Sequence, residues 1–336
     1  MNISERTRLF FREAAPTIRQ QRVIAMILLL CQGGITVTGS IVRVTGSGLG
    51  CDTWPNCQQG SLVPVAGAAP AIHQVIEFGN RLLTFVDAAA AGAAVIAMYM
   101  ACRRTELKVY AWLNVAGIVL QAVIGGISVW LDLKWWAVAL HFLPSMVLVW
   151  LAAMLYNRIL QPDDGTPEHT FPQFIRSLAV VATVALSVVL MTGTMVTGSG
   201  VHSGDDGVGM DGRLEVDTEW MALTHAFCLY IYLILTVITV ILLFRHRAPQ
   251  AAKRAGAVLI VAILIQWGIG VLQFHLGIPR WTVPVHIGMS SVVTAFTALL
   301  WSNGMIRSYG TLDLITGSPR GDEKYALRRE SLAARV

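Results

Sequence analysis

The sequence predicts an all-α integral membrane protein of eight transmembrane helices, arranged as two pseudo-symmetric four-helix bundles in a parallel repeat. Three observations predict it. First, 55% of the 336 residues are hydrophobic and 13% are charged, with a mean hydropathy of +0.61; a soluble domain carries about 25% charged residues. Second, eight apolar runs reach the roughly 20 residues that cross a bilayer as a helix, near 22–42, 72–101, 109–130, 136–157, 175–197, 219–244, 254–275 and 282–305. Third, the second half repeats the first. Gln121, Ile124, Gly125, Trp136, Val138 and His141 recur as Gln266, Ile269, Gly270, Trp281, Val283 and His286, all shifted by 145 positions, and the same shift carries Asn80 onto His225. Thr38-Gly39-Ser40 and Thr45-Gly46-Ser47-Gly48 return as Thr192-Gly193-Thr194 and Thr197-Gly198-Ser199-Gly200, with shifts of 154 and 152. An even number of spans per repeat keeps both copies in one orientation, related by an axis along the membrane normal.

In chain order, residues 1–21 read as a charged cytoplasmic leader without a small-residue cleavage site. Residues 22–157 form the N-terminal bundle. Its first span runs into a Gly/Pro-rich external loop that continues to Pro70, and its second opens with His73, Glu77, Asn80 and Arg81. Residues 158–174 are a polar cytoplasmic linker, 175–305 the C-terminal bundle, and 306–336 a cytoplasmic tail. Orientation follows from the basic residues: 20 of the 25 Lys and Arg lie in the leader, the loops after spans two, four and six, and the tail. That bias places both termini in the cytoplasm of a cell whose plasma membrane the chain crosses eight times. The net charge of +5 is therefore a topology signal, and because it is spread over short loops it predicts no nucleic-acid binding.

Polar groups are costly in hydrocarbon, so those inside spans are candidate functional residues. His73, Glu77 and Asn80 share one helix face, at offsets of four and three. His225 and His286 lie at matched depth, each near the external end of its span. Two imidazoles on facing helices can hold a haem iron from both sides; the bland alternative is a pair of hydrogen-bonded core histidines. In the first half the equivalent pair is Asn80 and His141, and asparagine is a poor iron ligand. Glu77 has no counterpart, since Ala222 stands at its repeat position. One copy thus reads as structural and the other as reactive, with Glu77 exchanging a proton. The competing reading is an i, i+4 ion pair with Arg81. Arg43 is a candidate partner for a haem propionate, or snorkels to the interface. His202 reads as solvated, and the tryptophans near the external boundary as an aromatic belt, with Trp136 and Trp281 able to pack on a porphyrin. Cys51 and Cys57 share the external loop, where a disulfide or a metal pair is open.

Taken together, these residues resemble the haem A synthase family. The resemblance spans residues 22–305. It rests on Thr-Gly-Ser-x-Val-Arg-x-Thr-Gly-Ser-Gly-Leu-Gly-Cys-x-x-Trp-Pro-x-Cys at 38–57, Ile-Glu-Phe-x-x-Arg at 76–81, and the histidines of spans four, six and eight. It implies an oxidoreductase that converts a methyl group of haem O to the formyl group of haem A, supplying aa3-type terminal oxidases. His225 and His286 would be the axial ligands of a resident haem b. The first half would receive haem O, with His141 on its iron and Glu77 catalytic. The cysteine pair matches one implicated in redox exchange or haem transfer, and a haem O synthase is the implied supplier. Where the family pattern has Glu-x-x-His in the second span, this chain has Asn80, which leaves His141 as the matched first-half ligand. Homo-oligomerisation is left open by the sequence.

Two other classes compete. A non-catalytic b-type cytochrome would need no carboxylate in either half, which Glu77 contradicts. A transporter built on parallel repeats, with or without haem, would show helices broken near mid-membrane, whereas the polar positions here lie toward the external side.

Overall fold

The computed structural model describes residues 15–200, 202 and 212–308. Eight long helices account for nearly all of it: α1 (Ile18–Val44), α2 (Ala71–Met100), α3 (Thr105–Trp130), α4 (Trp135–Arg158), α5 (Gln173–Ser199), α6 (Thr218–Arg245), α7 (Gln250–His275) and α8 (Thr282–Ser302). All eight are long and apolar enough to cross a bilayer, and the chain is a multi-pass membrane protein. Their outward faces carry large apolar side chains such as Phe85, Phe227 and Trp220. A bundle with such a surface satisfies its backbone within each helix and turns side chains to hydrocarbon.

Helix ends follow capping chemistry more than the limits of the apolar runs. α1 begins at Ile18, four residues before the predicted start. Thr17 caps it by accepting from the Gln20 N–H at 3.2 Å, while Gln20 Oε1 accepts from the Thr17 N–H at 2.8 Å. This reciprocal capping box carries the helix through Arg19, Gln20, Gln21 and Arg22. Pro70, Pro172 and Pro249 precede α2, α5 and α7, where a residue lacking an N–H costs nothing. Asp217 caps α6 by accepting from the Trp220 N–H at 2.7 Å.

One boundary differs from the sequence reading, which carries the last span to 305 and leaves 158–174 as a polar linker. Instead α8 stops at Ser302, and β2 (Met305–Ser308) pairs antiparallel with β1 (Thr166–His169), from Thr166 opposite Ser308 to His169 opposite Met305. The pairing gives backbone partners to a polar segment that no helix covers. The leader through residue 14 and the tail beyond 308 lie outside the described residues.

Neighbouring helices pack in sequence, and α1 and α4 also pack on each other. Contact between the halves runs through α1 and α4 against α8, and through α4 against α5. The first-half core combines Leu28, Leu107 and Leu155 with the alanines at 90, 91, 94, 97 and 111, small residues that let helices approach closely. The second-half core is bulkier, with Leu186, Tyr232, Leu259 and Ile263. Between them lie Val149, Ala153, Ala295 and Ala298, with a hydrogen bond between the Thr36 and Ser291 hydroxyls at 3.1 Å and one from Asn157 Nδ2 to Ser302 Oγ at 2.9 Å. The end of the bundle carrying the Cys51–Cys57 loop is called the loop side below, and the opposite end the terminal side.

Candidate functional site

Repeat-related positions make repeat-related contacts. Gln121 Nε2 donates to the His141 carbonyl at 2.9 Å, and Gln266 Nε2 donates to the His286 carbonyl at 3.1 Å. In both, the glutamine Oε1 and the histidine Nδ1 are buried without a hydrogen-bond partner. Thr38 Oγ1 donates to Asn80 Oδ1 at 2.7 Å, and the equivalent Thr192 Oγ1 lies 3.1 Å from His225 Nδ1. The threonines of the two Thr-Gly-Ser/Thr motifs therefore orient the side chain that follows on the next helix. The sequence exposed the motifs but not this task.

In the second half, the His225 and His286 rings meet edge-on, with centroids 6.4 Å apart and planes at 61°. An imidazole nitrogen sits about 2 Å from a bound transition metal, so one ion between two such rings separates their centres by roughly 6 Å. Thr192 commits its hydroxyl proton to the Val188 or Val189 carbonyl, at 2.9 and 3.0 Å. Its oxygen is then an acceptor for the Nδ1–H of His225, which leaves Nε2 as the nitrogen with a free lone pair. Clearance is supplied by glycine. A Cβ at Gly193 would lie 3.1 Å from His225 Cε1, and one at Gly270 would lie 3.3 Å from His286 Cε1. Ring separation, tautomer and clearance all fit a flat macrocycle held through its iron by these two histidines.

The first half is built differently. Gly125 gives His141 the same clearance, with a Cβ there 3.2 Å from Cε1. Asn80, however, has its Oδ1 taken by Thr38, and the Nδ2 that remains is a donor with no lone pair for a metal. Glu77, 5% exposed, has both carboxylate oxygens engaged. Oε2 accepts from the Cys51 N–H at 2.6 Å, and Oε1 receives Arg81 at 2.5 Å. The expected ion-pair alternative is thus present. The pair has a wider reach than i, i+4 geometry implies: Arg81 also donates to the carbonyls of Cys51, Thr53 and Asn56, at 2.8, 2.9 and 3.0 Å. Cys51 and Cys57 are joined as a disulfide, so the carboxylate and the guanidinium of α2 together hold the backbone of the disulfide loop. His73, one turn nearer the loop side than Glu77, accepts or donates at Nδ1 with Ser47 Oγ at 2.8 Å. Gly50 passes so close to the start of α2 that a Cβ there would lie 2.4 Å from the His73 carbonyl. His73, Glu77 and Asn80 therefore share one face, as their spacing predicts, and all three meet α1 or the loop that follows it.

Other candidates land elsewhere. Arg43 donates to the Thr197 and His202 carbonyls, at 3.1 and 3.3 Å, tying α1 to the end of α5. His202, expected to be solvated, is half-buried, and its Nε2 lies 2.8 Å from the Ile278 carbonyl. Trp54 belongs to the packed loop rather than a belt: it lies on Gly126 and meets Trp130 edge-on at 5.8 Å. Trp136 and Trp281 are exposed. Among the described residues, no cluster of three His, Cys, Asp or Glu side chains could hold a bare metal ion.

Comparison with known proteins adds an independent finding. The model of a family described as cytochrome oxidase assembly protein matches residues 22–298. Relatives named heme A synthase align as well. One from Exiguobacterium sp. is 29% identical over 175 residues, covering 52% of this chain and 54% of the relative. One from Exiguobacterium sibiricum is 30% identical over 175 residues, covering 51% and 54%. One from Listeria welshimeri is 30% identical over 143 residues, covering 40% and 46%. The chain spans about half the length of the curated relatives it matches.

Proposed function

The chain belongs to the cytochrome oxidase assembly protein family, and on that premise we propose that it is a haem A synthase, oxidising a methyl group of haem O to the formyl group of haem A. The observation that supports this best is the inequality of the two repeat-related sites. One opposes two histidines at 6.4 Å; the other substitutes Asn80 for a histidine and adds a buried carboxylate, Glu77.

In this reading His225 and His286 hold a resident haem b, which supplies one-electron transfer when bound. Thr192 fixes the His225 tautomer, and Gly193 and Gly270 leave the rings unobstructed. The first half receives haem O as substrate. His141 provides the single imidazole there, and Asn80 is a hydrogen-bond donor rather than an iron ligand. Glu77 accepts a proton at one of its carboxylate oxygens as the substrate methyl is oxidised. Arg81 and the Cys51 N–H hold that carboxylate in place, so the base is set before substrate arrives. Arg43 acts between the halves through backbone carbonyls, with a propionate as a further partner. The two halves correspond to residues 22–157 and 175–305, with 158–174 joining them. Haem O synthase is the supplier of substrate, and the chain lies in the plasma membrane with both termini cytoplasmic.

The test is pigment extraction from cells that make haem O and express the full chain. Haem A should accumulate with the parent and not with Glu77→Ala, while the membranes keep the optical signature of protein-bound haem b. Haem A formation by Glu77→Ala at the parent level would remove Glu77 from the chemistry. No haem A with the parent would overturn the enzymatic reading.

A further inference from the structure

On α2 a polar stripe continues beyond the residues assigned above. Glu77, Asn80, Thr84 and Asp87 follow at offsets of three, four and three, the spacing of one helix face. At 1.5 Å per residue, Asp87 lies about 15 Å from Glu77 along the axis, near the middle of a hydrocarbon layer about 30 Å thick. Asp87 is 3% exposed. Among the described residues it forms no ion pair, and its Oδ1 meets no hydrogen-bond partner. An ionisable group at this depth ordinarily has a counter-charge or marks a proton path. Among the described residues, Asp87 has no counter-charge.

A second polar series rises on α3 from the terminal side. Glu106, Tyr110 and Asn114 follow at offsets of four on α3. Asn114 Nδ2 donates to the Tyr110 carbonyl at 2.9 Å, and Asn114 Oδ1 accepts from Gln32 Nε2 of α1 at 3.3 Å. Gln32 and Asn114 are 1% and 0% exposed. α1 and α2 pack on each other, and Cys31, the neighbour of Gln32, lies against the first-half core that Ala90 and Ala91 of α2 help to form. At the terminal end, Glu106 pairs with Arg104 and Arg158 and is 27% exposed.

The second half provides the control. At the positions of Glu77, Thr84 and Asp87 it has Ala222, Leu229 and Tyr232. At those of Glu106, Tyr110 and Asn114 it has Ala251, Ala255 and Leu259, and at that of Gln32 it has Leu186. Leu186, Leu229, Ala255 and Leu259 belong to its apolar core, and Tyr232 packs there with its hydroxyl 2.6 Å from Thr297 Oγ1. A bundle of this kind therefore packs without a carboxylate at the Asp87 position, where the second half has a neutral hydroxyl pair, and without amides at the positions of Gln32 and Asn114.

We propose that Asp87 is the membrane-buried relay of a proton route between the Glu77 end of the first half and the terminal side, with Asn80 and Thr84 on one side of it and Gln32 and Asn114 on the other. The proposal rests on the oxidative reading above, in which protons leave the methyl group. In one passage, a proton from the Glu77 end forms an O–H bond on one Asp87 oxygen, and the O–H on the other oxygen breaks toward Gln32 and Asn114. The carboxyl ends protonated on the first oxygen instead of the second, a half-turn about its Cβ–Cγ bond restores the starting arrangement, and no electron moves. Asp87 acts through Glu77 and touches no substrate, so it is a positioning residue for protons.

The test pairs haem O conversion with infrared difference spectra of the purified, haem-loaded full chain, reduced minus oxidised. Asp87→Asn should slow conversion about 10²-fold, the low end of what a positioned proton-transfer group contributes, and should remove a carboxylic-acid C=O band present in the parent. Asp87→Glu should restore conversion and shift that band. If Asp87→Asn does not accumulate, Gln32→Leu and Asn114→Leu, which import the second-half residues, should slow conversion in the same direction. Conversion at the parent rate in Asp87→Asn, or in both of those substitutes, overturns the proposal. If the parent itself converts no haem O, the enzymatic reading fails on its own, and the infrared band then decides: without an Asp87-dependent band, the relay is wrong.

Discussion

The two halves of this chain share a hydrogen-bonding frame and differ in what the frame holds. Gln121 and Gln266 grip the carbonyl of the following histidine, and Thr38 and Thr192 steer the side chain of the second helix. On that frame the second half presents His225 toward His286, whereas the first presents Asn80, with Glu77 one turn away and Arg81 beside it. On the function proposed above, one copy of the frame holds a cofactor and the other is freed for chemistry by a few substitutions along a single helix face.

The comparison can be broken most severely at the histidines. His286→Ala should abolish the optical signature of bound haem in purified protein, while His141→Ala should leave it in place, because the proposed function assigns the two rings different occupants. Equal losses in both variants would mean that the halves are not specialised. Glu77→Gln keeps the size of the side chain and an acceptor for the Cys51 N–H. It should lower haem O conversion by at least about 10²-fold with the haem b spectrum unchanged, as measured by pigment analysis and membrane spectra.

A smaller effect is expected from glycine. Gly193→Ala and Gly270→Ala place a Cβ 3.1 and 3.3 Å from the facing ring. Each should lower haem occupancy of the second half, read as the haem-to-protein ratio after purification. Gly92→Ala, with nothing within 4 Å of its Cβ, should leave the ratio unchanged. Smallest of all, Thr38→Val removes one interhelical hydrogen bond and should cost about 0.6 kcal/mol, seen as a shift in the detergent-denaturation midpoint. Thr192→Val should cost about as much and also alter the haem spectrum, because Thr192 holds a histidine and Thr38 holds an amide.

Much of this was legible in the chain. The eight spans emerge from uninterrupted apolar runs, and His141, His225, His286 and Glu77 stand out because polar groups within such runs are rare. What escaped depends on contacts between distant segments. The pairing of β1 with β2 joins two short polar strands that carry no alternation to announce them. The Arg43 donations to Thr197 and His202 become visible only once the loop-side ends of α1 and α5 are brought within reach of each other. Asp87 is a different case: its spacing from Glu77 and Asn80 is plain in the sequence, but a single aspartate among alanines has no local partner to suggest a role. The ion pair of Glu77 with Arg81 was foreseen by spacing; its grip on the disulfide loop was not, since three carbonyls of an irregular segment converge there.

That grip divides the loop-side connection into two parts with different tolerance of change. Between Cys51 and Cys57 the carbonyls of residues 51, 53 and 56 are in register with one guanidinium, so a single inserted residue would move at least one of them off its donor. Farther along, Gln74 closes the stretch from Val65 to Ala69 like a clasp, accepting from the Val65 N–H and donating to both carbonyls. Beyond that clasp the tip at Gly67 is exposed and unobstructed. A short epitope inserted there would be a reporter of sidedness, readable by antibody on intact cells, that leaves the residues around Glu77 where they are.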